Sequence, residues 1–328
     1  MLNLKTPIGF DVAVPENQDE DQVPKFNLNL ENEDALNYYN ENGFVIFSKC
    51  ISDQACEQIR LSWENEIKPY KGKIYRQTIG VPQKNIFNKK NWVMNPIIGL
   101  QSMNPYLFNE FRNLIEIEIF SNENFCKAFK SILREKPRII QSMYFEGNSA
   151  TREHQDEYYL GSEKSGHMTA GWLALEEIKP DAGRFFVLPK SHKLMNIKGN
   201  RDYITKNYEN FVADLTSLIS SKNIEFRAPY LSTGDFLLWN SLTVHGSIDS
   251  QNENFSRSSI TAHAIPESHK ALYINSDKLK LQSDNLGHLF IFRDKCQSKF
   301  ENRLMFKLHS QFPSFFSFLR DIKKYLNN

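Results

Sequence analysis

The spacing of apolar residues changes along the chain, and that change divides it. From Ala35 to Asn42, from Asp53 to Ile67, around Tyr106 to Ile117 and from Asn124 to Leu133, apolar positions recur every three or four residues, which predicts helices. Gly43 is placed to cap the first, and Ser52 or Asp53 to start the second. From about 137 to 266 the runs shorten to strand length, as in Gln141-Ser142-Met143-Tyr144-Phe145, Gly171-Trp172-Leu173-Ala174-Leu175 and Asp235-Phe236-Leu237-Leu238-Trp239, the last behind a Ser232-Thr233-Gly234 turn. Helical spacing from Tyr203 to Ser221 interrupts these strands. Insertions of that kind commonly cover active sites, so a lid is expected there. Residues 1–33 are polar, with an acidic patch from Glu16 to Asp21, and read as an arm that is either loose or draped over the rest. Near the C-terminus Phe315, Leu319, Ile322 and Leu326 fall on one helical face, with Arg320, Lys323 and Lys324 beside them. Packing against the body of the protein or a second subunit is expected for this helix, in preference to lying on a membrane.

Composition narrows the choice of partners. Forty basic and 39 acidic residues leave a net charge of +1, which supplies no electrostatic funnel for nucleic acid. No apolar run reaches the ~18 residues a membrane span requires. Cys50, Cys56, Cys126 and Cys296 form no C-x-x-C pair, and the N-terminus has no basic-then-apolar signal pattern. A cytoplasmic, reducing setting is therefore expected. The 328 residues would accommodate two domains, but β-barrels and sandwiches commonly reach 200 to 250 residues as one unit, and one domain with helical additions is the reading.

The chemistry-bearing residues lie in the β-rich part. His154 and Asp156 are two positions apart in Glu153-His154-Gln155-Asp156-Glu157, and His245 follows 89 residues after Asp156. In extended backbone, residues i and i+2 project from one side, so both side chains can reach one ion. Two imidazoles and a carboxylate on one face of a metal, with the remaining positions open, are what a non-haem Fe(II) oxygenase needs. Further on, Arg257-Ser258-Ser259 places a guanidinium and a hydroxyl on one face of a strand running through Ile260, Thr261 and Ala262. The planar fork of Arg257 suits the far carboxylate of a chelating dicarboxylate such as 2-oxoglutarate. The same ligand set on Zn2+ would make a hydrolase, and loss of catalysis would leave a cupin-like sensor or scaffold. A hydrolase has no use for the second carboxylate clamp, and a degenerate barrel usually lacks a ligand.

From about Asp34 to about Pro266 the chain resembles the phytanoyl-CoA dioxygenase (PhyH-like) family of Fe(II)/2-oxoglutarate oxygenases. The resemblance begins at Tyr39-Asn40-Glu41-Asn42-Gly43-Phe44-Val45-Ile46-Phe47. It continues through the Gln141 and Gly171 runs, His154-Gln155-Asp156, the stretch from Gly183 to Lys193, and Gly234-Asp235 leading to His245-Gly246-Ser247. It implies Fe(II) held by His154, Asp156 and His245, with no catalytic side chain beyond the iron site. It also implies 2-oxoglutarate held by Arg257 with Ser259, Trp172, Ser247 and Gln141 around it, and O2 as co-substrate. The intact Asp156 implies oxygenation, since halogenating relatives replace that carboxylate by a small residue. The segment from His245 to Arg257 is one residue longer than the family spacing, which a hairpin would absorb.

The fold so implied is a double-stranded β-helix, a cupin-like jelly roll, mainly β with helices packed on its outer face. The expected layout is an arm at 1–33 and a single oxygenase domain over 34–328. That domain divides into a helical part (34–135), a β core (136–266) with the insertion near 203–221, and a C-terminal helical extension (267–328). Arg152, Glu157, Tyr158, Tyr159 and Arg184 flank the motifs and are the substrate-contact candidates. His192 reads as part of a turn, and His167 and His263 lie on expected strands and could face the pocket, with a satisfied core histidine the preferred reading of each. The expected reaction is oxidation of an aliphatic C–H bond in a small biosynthetic metabolite by a monomer or homodimer, with succinate and CO2 released. No basic cluster for the phosphates of CoA lies near the motifs.

Overall fold

Strands that are apolar on both faces must be covered on both sides, and the middle of the chain is built that way. The computed structural model describes residues 1–77, 81–147, 149–194, 208–222, 224–273, 282–295 and 297–326. Thr169–Ala174, buried throughout, runs antiparallel between Phe236–Asn240 and Ser259–Pro266. Pro137–Phe145 continues this large sheet beyond Ser259–Pro266, and Phe44–Phe47 lies on the other side of Phe236–Asn240. Alternate residues point to opposite faces. Leu173, Phe236, Ile260 and Tyr144 join Ile59, Trp63, Phe111 and Phe129 in a core shared with the helices. Ala170, Trp172, Leu237 and Trp239 turn the other way and meet Phe185 and Val187. Those two belong to a small sheet of Phe185–Val187, His245–Ser247 and Thr151–His154. Two facing sheets with helices on one outer face are the expected jelly roll.

The helical part follows its sequence signals closely. Asn32–Asn42 ends at Gly43, whose φ of 81° is the left-handed backbone a side chain would resist. The Ser52 side chain accepts from the Ala55 N–H at 3.2 Å and opens Asp53–Ser62, which widens into a π turn over Trp63–Ile67. Asn109–Leu114 widens likewise over Ile115–Phe120, and Glu123–Leu133 follows the capping side chain of Asn122.

The N-terminal arm is draped. Leu2–Lys5 and Asp11–Val14 form a hairpin, and Val12 and Val14 share an apolar cluster with Phe211, Leu215 and Ile219. The latter three come from the helix Tyr208–Lys222; residues 203–207 of the expected insertion lie outside the described residues. Lys25 pairs with the buried Asp235 at 2.7 Å, which also accepts from the Lys49 and Ser232 N–H groups.

The C-terminal part departs from the expected helical extension. Ala271–Tyr273, Gln282–Leu286 and Leu289–Arg293 are strands, the last running parallel to Pro137–Phe145. Leu289, Ile291 and Arg293 are buried at period two, a signal only five residues long between polar segments. Helices Phe300–Gln311 and Pro313–Leu326 follow. Phe315, Leu319 and Ile322 are exposed, so the rest of the described residues does not cover this face as expected. No helix among the described residues is long and apolar enough to cross a membrane. Cys50, Cys56 and Cys126 are buried free thiols; Cys296 lies outside the described residues.

Candidate metal centre

Pairing across the small sheet brings the histidines together. His245 lies directly opposite His154, and facing positions in an antiparallel pair place their side chains side by side. Their rings are 4.3 Å apart between centroids. Gln155 keeps extended backbone (φ −115°, ψ 133°), so Asp156 projects from the same side as His154 before the chain enters a short turn. Asp156 Oδ1 is 3.7 Å from His154 Nε2 and 3.5 Å from His245 Nε2. One ligand atom from each of the three residues falls within 4.8 Å of the others, which is a cluster that can hold a metal ion. His245 lies on a strand separate from Phe236–Asn240. The Thr243 N–H bonds to Asn240 O at 2.8 Å in a turn that carries the chain from the large sheet to the small one.

The surroundings fix which atoms face the centre. In each histidine Nδ1 lies against the carbonyl two residues earlier, His154 on Arg152 O at 2.8 Å and His245 on Thr243 O at 2.9 Å. A proton held there leaves Nε2 as a free lone pair, the form a metal ligand needs. Burial pushes the pKa of His245 down, favouring the neutral ring. Burial opposes charge on Asp156, but the imidazoles of His245, His263 and His154 outweigh it and hold the carboxyl well below its usual range. The second carboxylate oxygen, Oδ2, is already occupied: Trp239 Nε1–H donates to it at 2.8 Å and His263 Nε2 stands 3.4 Å away. Oδ1 is thereby left as the single ligand atom.

Phe185 is the residue that sequence reasoning missed, and His263 takes the less favoured of its two readings. His263 points inward onto Asp156, with its Nδ1 unpartnered among the described residues, and is not the satisfied core histidine expected. Its position two residues past Thr261 on an alternating strand was the available signal. Phe185 lies 5.6 Å from His245, 4.8 Å from Trp239 and 5.9 Å from Trp172, centroid to centroid, and so links the two sheets across the site.

Arg257 sits in the same interior. Its Nη1 donates to Gly183 O at 2.9 Å, and its guanidinium lies over the rings of Phe145 and Trp172. Nε has no partner, and no carboxylate pairs with it among the described residues. Burial alone pushes its pKa down to about 9. A buried cation without a counter-ion is costly, and an entering carboxylate relieves that cost. The residues present therefore fit both groups the sequence implied, a metal on three ligands and a dicarboxylate with one end on Arg257. The long connection from His245 is absorbed in a turn held by Asp181, which accepts from Gln251 N, Asn252 N and Asn252 Nδ2.

The remaining candidates divide. Ser259 Oγ donates to Arg257 O, and Ser247 Oγ accepts from Thr151 N, so both hydroxyls support the strands that carry the site. Gln141 is half-buried opposite His263. Arg152 is exposed, and Tyr159, 40% exposed, meets the His154 ring edge-on at 5.8 Å. Glu157 accepts from Ser241 Oγ at 2.6 Å, and Tyr158 stacks on Phe211 at 4.5 Å. Arg184 is fully buried and donates to Pro15 O and Ile178 O, tying the arm to the barrel. Its hydrogen bonds are structural. His192 lies in a turn against Asn40 O, and His167 is exposed.

Comparison with known proteins places this arrangement. The chain is 25% identical over 152 residues to a phytanoyl-CoA dioxygenase domain-containing protein 1 homolog of Caenorhabditis briggsae, covering 44% of this chain and 52% of that protein. It thus spans about half the length of that relative. It is 22% identical over 255 residues to the peroxisomal phytanoyl-CoA dioxygenase of Mus musculus, covering 74% and 72% of the two chains. Two solved structures share its fold. SnoK, a non-haem alpha ketoglutarate dependent carbocyclase from nogalamycin biosynthesis, matches with a TM-score of 0.54 at 16% identity over 76% of this chain and 89% of that one. The epimerase SnoN gives 0.52 at 14% identity over 80% and 98%. The family model for phytanoyl-CoA dioxygenase (PhyH) matches residues 39–259, and the chain belongs to that family of Fe(II)/2-oxoglutarate-dependent oxygenases.

Proposed function

We propose that the chain is a non-haem Fe(II)- and 2-oxoglutarate-dependent dioxygenase that oxidises an aliphatic C–H bond of a small biosynthetic metabolite. The outcome is hydroxylation, or desaturation or oxidative cyclisation, with release of succinate and CO2. The observation that supports it is the His154, Asp156 and His245 cluster in the same interior as a buried guanidinium with no carboxylate partner among the described residues. Bound Fe(II), with 2-oxoglutarate and O2, supplies the oxidising power for C–H cleavage. The protein's residues do the rest. His154 Nε2, His245 Nε2 and Asp156 Oδ1 would hold the metal, while Trp239 and His263 occupy Oδ2. Arg257 takes the far carboxylate of 2-oxoglutarate, with Trp172 beneath it. Trp172, Phe185 and Trp239 keep one side of the centre dry. His154 is the most exposed ligand, at 17% against 4% for His245, so the substrate enters past His154, with Tyr159 and Arg152 at the rim. Cytoplasmic residence is part of the same proposal, though the mouse relative is described as peroxisomal.

The test is anaerobic addition of Fe(II) and 2-oxoglutarate, which gives a weak visible charge-transfer band, followed by a metabolite screen for substrate-stimulated succinate. Asp156→Ala abolishes the band by losing iron. Arg257→Ala retains iron and raises the 2-oxoglutarate requirement about 10- to 100-fold, the loss of one charge-assisted bidentate contact. Tight Zn2+ binding with no O2 consumption and no succinate from any substrate would overturn the reading in favour of a hydrolase.

A further inference from the structure

The two C-terminal helices carry an apolar surface that the rest of the described protein leaves uncovered. The first is tied to the body where Phe306 is buried and Asn104 Nδ2 donates to Phe306 O at 2.9 Å. On the first helix Phe300, Leu304 and Leu308 recur every four residues along one outward stripe, with Phe300 69% exposed. On the second, Phe315, Phe318 and Ile322 follow at spacings of three and four, with Phe318 60% exposed. A stripe of exposed cations, Lys299, Arg303 and Lys307, lies one position behind the first apolar stripe, about 100° around the helix. Residues 294–328 hold seven basic and three acidic side chains in a protein whose overall charge is only +1, so the basic surplus of the molecule is concentrated here.

We infer that this helical pair docks on an anionic phospholipid surface, with the phenylalanine and leucine stripes in the acyl boundary and the lysine and arginine stripe at the headgroups. Apolar faces flanked by cations are what interfacial helices present, and exposed phenylalanines lose more water-contacting area on insertion than short aliphatics do. The charge decides against a second copy as the occupant. A two-fold contact through the same surface sets each basic stripe against another, with few acidic groups to offset it.

The experiment is co-sedimentation of the full chain with vesicles of equal parts phosphatidylcholine and phosphatidylglycerol, and with vesicles of phosphatidylcholine alone. Binding to the mixed vesicles, suppressed by salt and weak on the neutral ones, is expected. Phe315→Ser with Phe318→Ser, and separately Lys299→Glu with Arg303→Glu and Lys307→Glu, each lower the partition coefficient about tenfold or more. All five positions are exposed, although Arg303 Nη1 also donates to Gln297 O and Ser298 O, and circular dichroism checks that each variant keeps the folded state. No sedimentation with anionic vesicles, or sedimentation unchanged in both variants, overturns the proposal. So does a dimer in light scattering that the phenylalanine variant disperses while vesicles are ignored, which identifies a second copy as the occupant.

Discussion

Asp156 illustrates how much of a metal site is decided by atoms that never touch the metal. Trp239 donates to Oδ2 and leaves Oδ1 for coordination, so Trp239→Phe keeps the ring's packing and removes only the donor. Metal affinity is expected to fall about 10- to 100-fold in a Mn(II) titration, the usual cost of losing an outer hydrogen bond, with little change in melting. His245 gives the site a pH dependence of definite sign. Its pKa lies below the ordinary 6.5 because the folded protein buries it. As pH drops below 6.5 the unfolded chain takes up a proton that the folded chain refuses, so stability is complete above that value and declines towards the folded pKa. Urea unfolding of the metal-free protein between pH 8 and 5 should show this decline, and His245→Asn should reduce it.

The elements show where sequence reading works and where it stops. Gly43 and Ser52 announced their helix ends because each signal is local: one left-handed residue, one side-chain acceptor. The H-x-D spacing was legible because period-two geometry survives through Gln155. What no local pattern states is which strand faces which. The pairing of His245 with His154, and the approach of His263 to Asp156, are products of sheet topology. The strand Leu289–Arg293 was lost for the related reason that five alternating residues are too few to stand out. Gly246 tests the small sheet directly. A Cβ there would lie 2.6 Å from Thr151 O and 2.7 Å from the Phe186 ring, so Gly246→Ala must push the strands apart. A loss of about 1–3 kcal/mol in stability and a marked loss of metal binding are expected, read by urea unfolding and Mn(II) titration.

Across the whole molecule the arm, the barrel and the insertion helix behave as one body. The arm's hairpin packs on Tyr208–Lys222, and further along the arm Lys25 neutralises Asp235 beneath the large sheet's edge. Lys25→Met leaves that carboxylate buried with only its two backbone donors, and a stability loss of about 3 kcal/mol in urea is expected. On the proposed reading the two ends of 2-oxoglutarate would be held by different parts of this body. The histidines stand on the small sheet, and the guanidinium stands at the head of a strand of the large one. A diacid held at both ends is then a strut between the sheets, and packed sheets keep a fixed gap of about 10 Å. On that reading the spacing of the walls would select the co-substrate by length, and a four-carbon or six-carbon keto diacid is expected to bind more weakly than the five-carbon one.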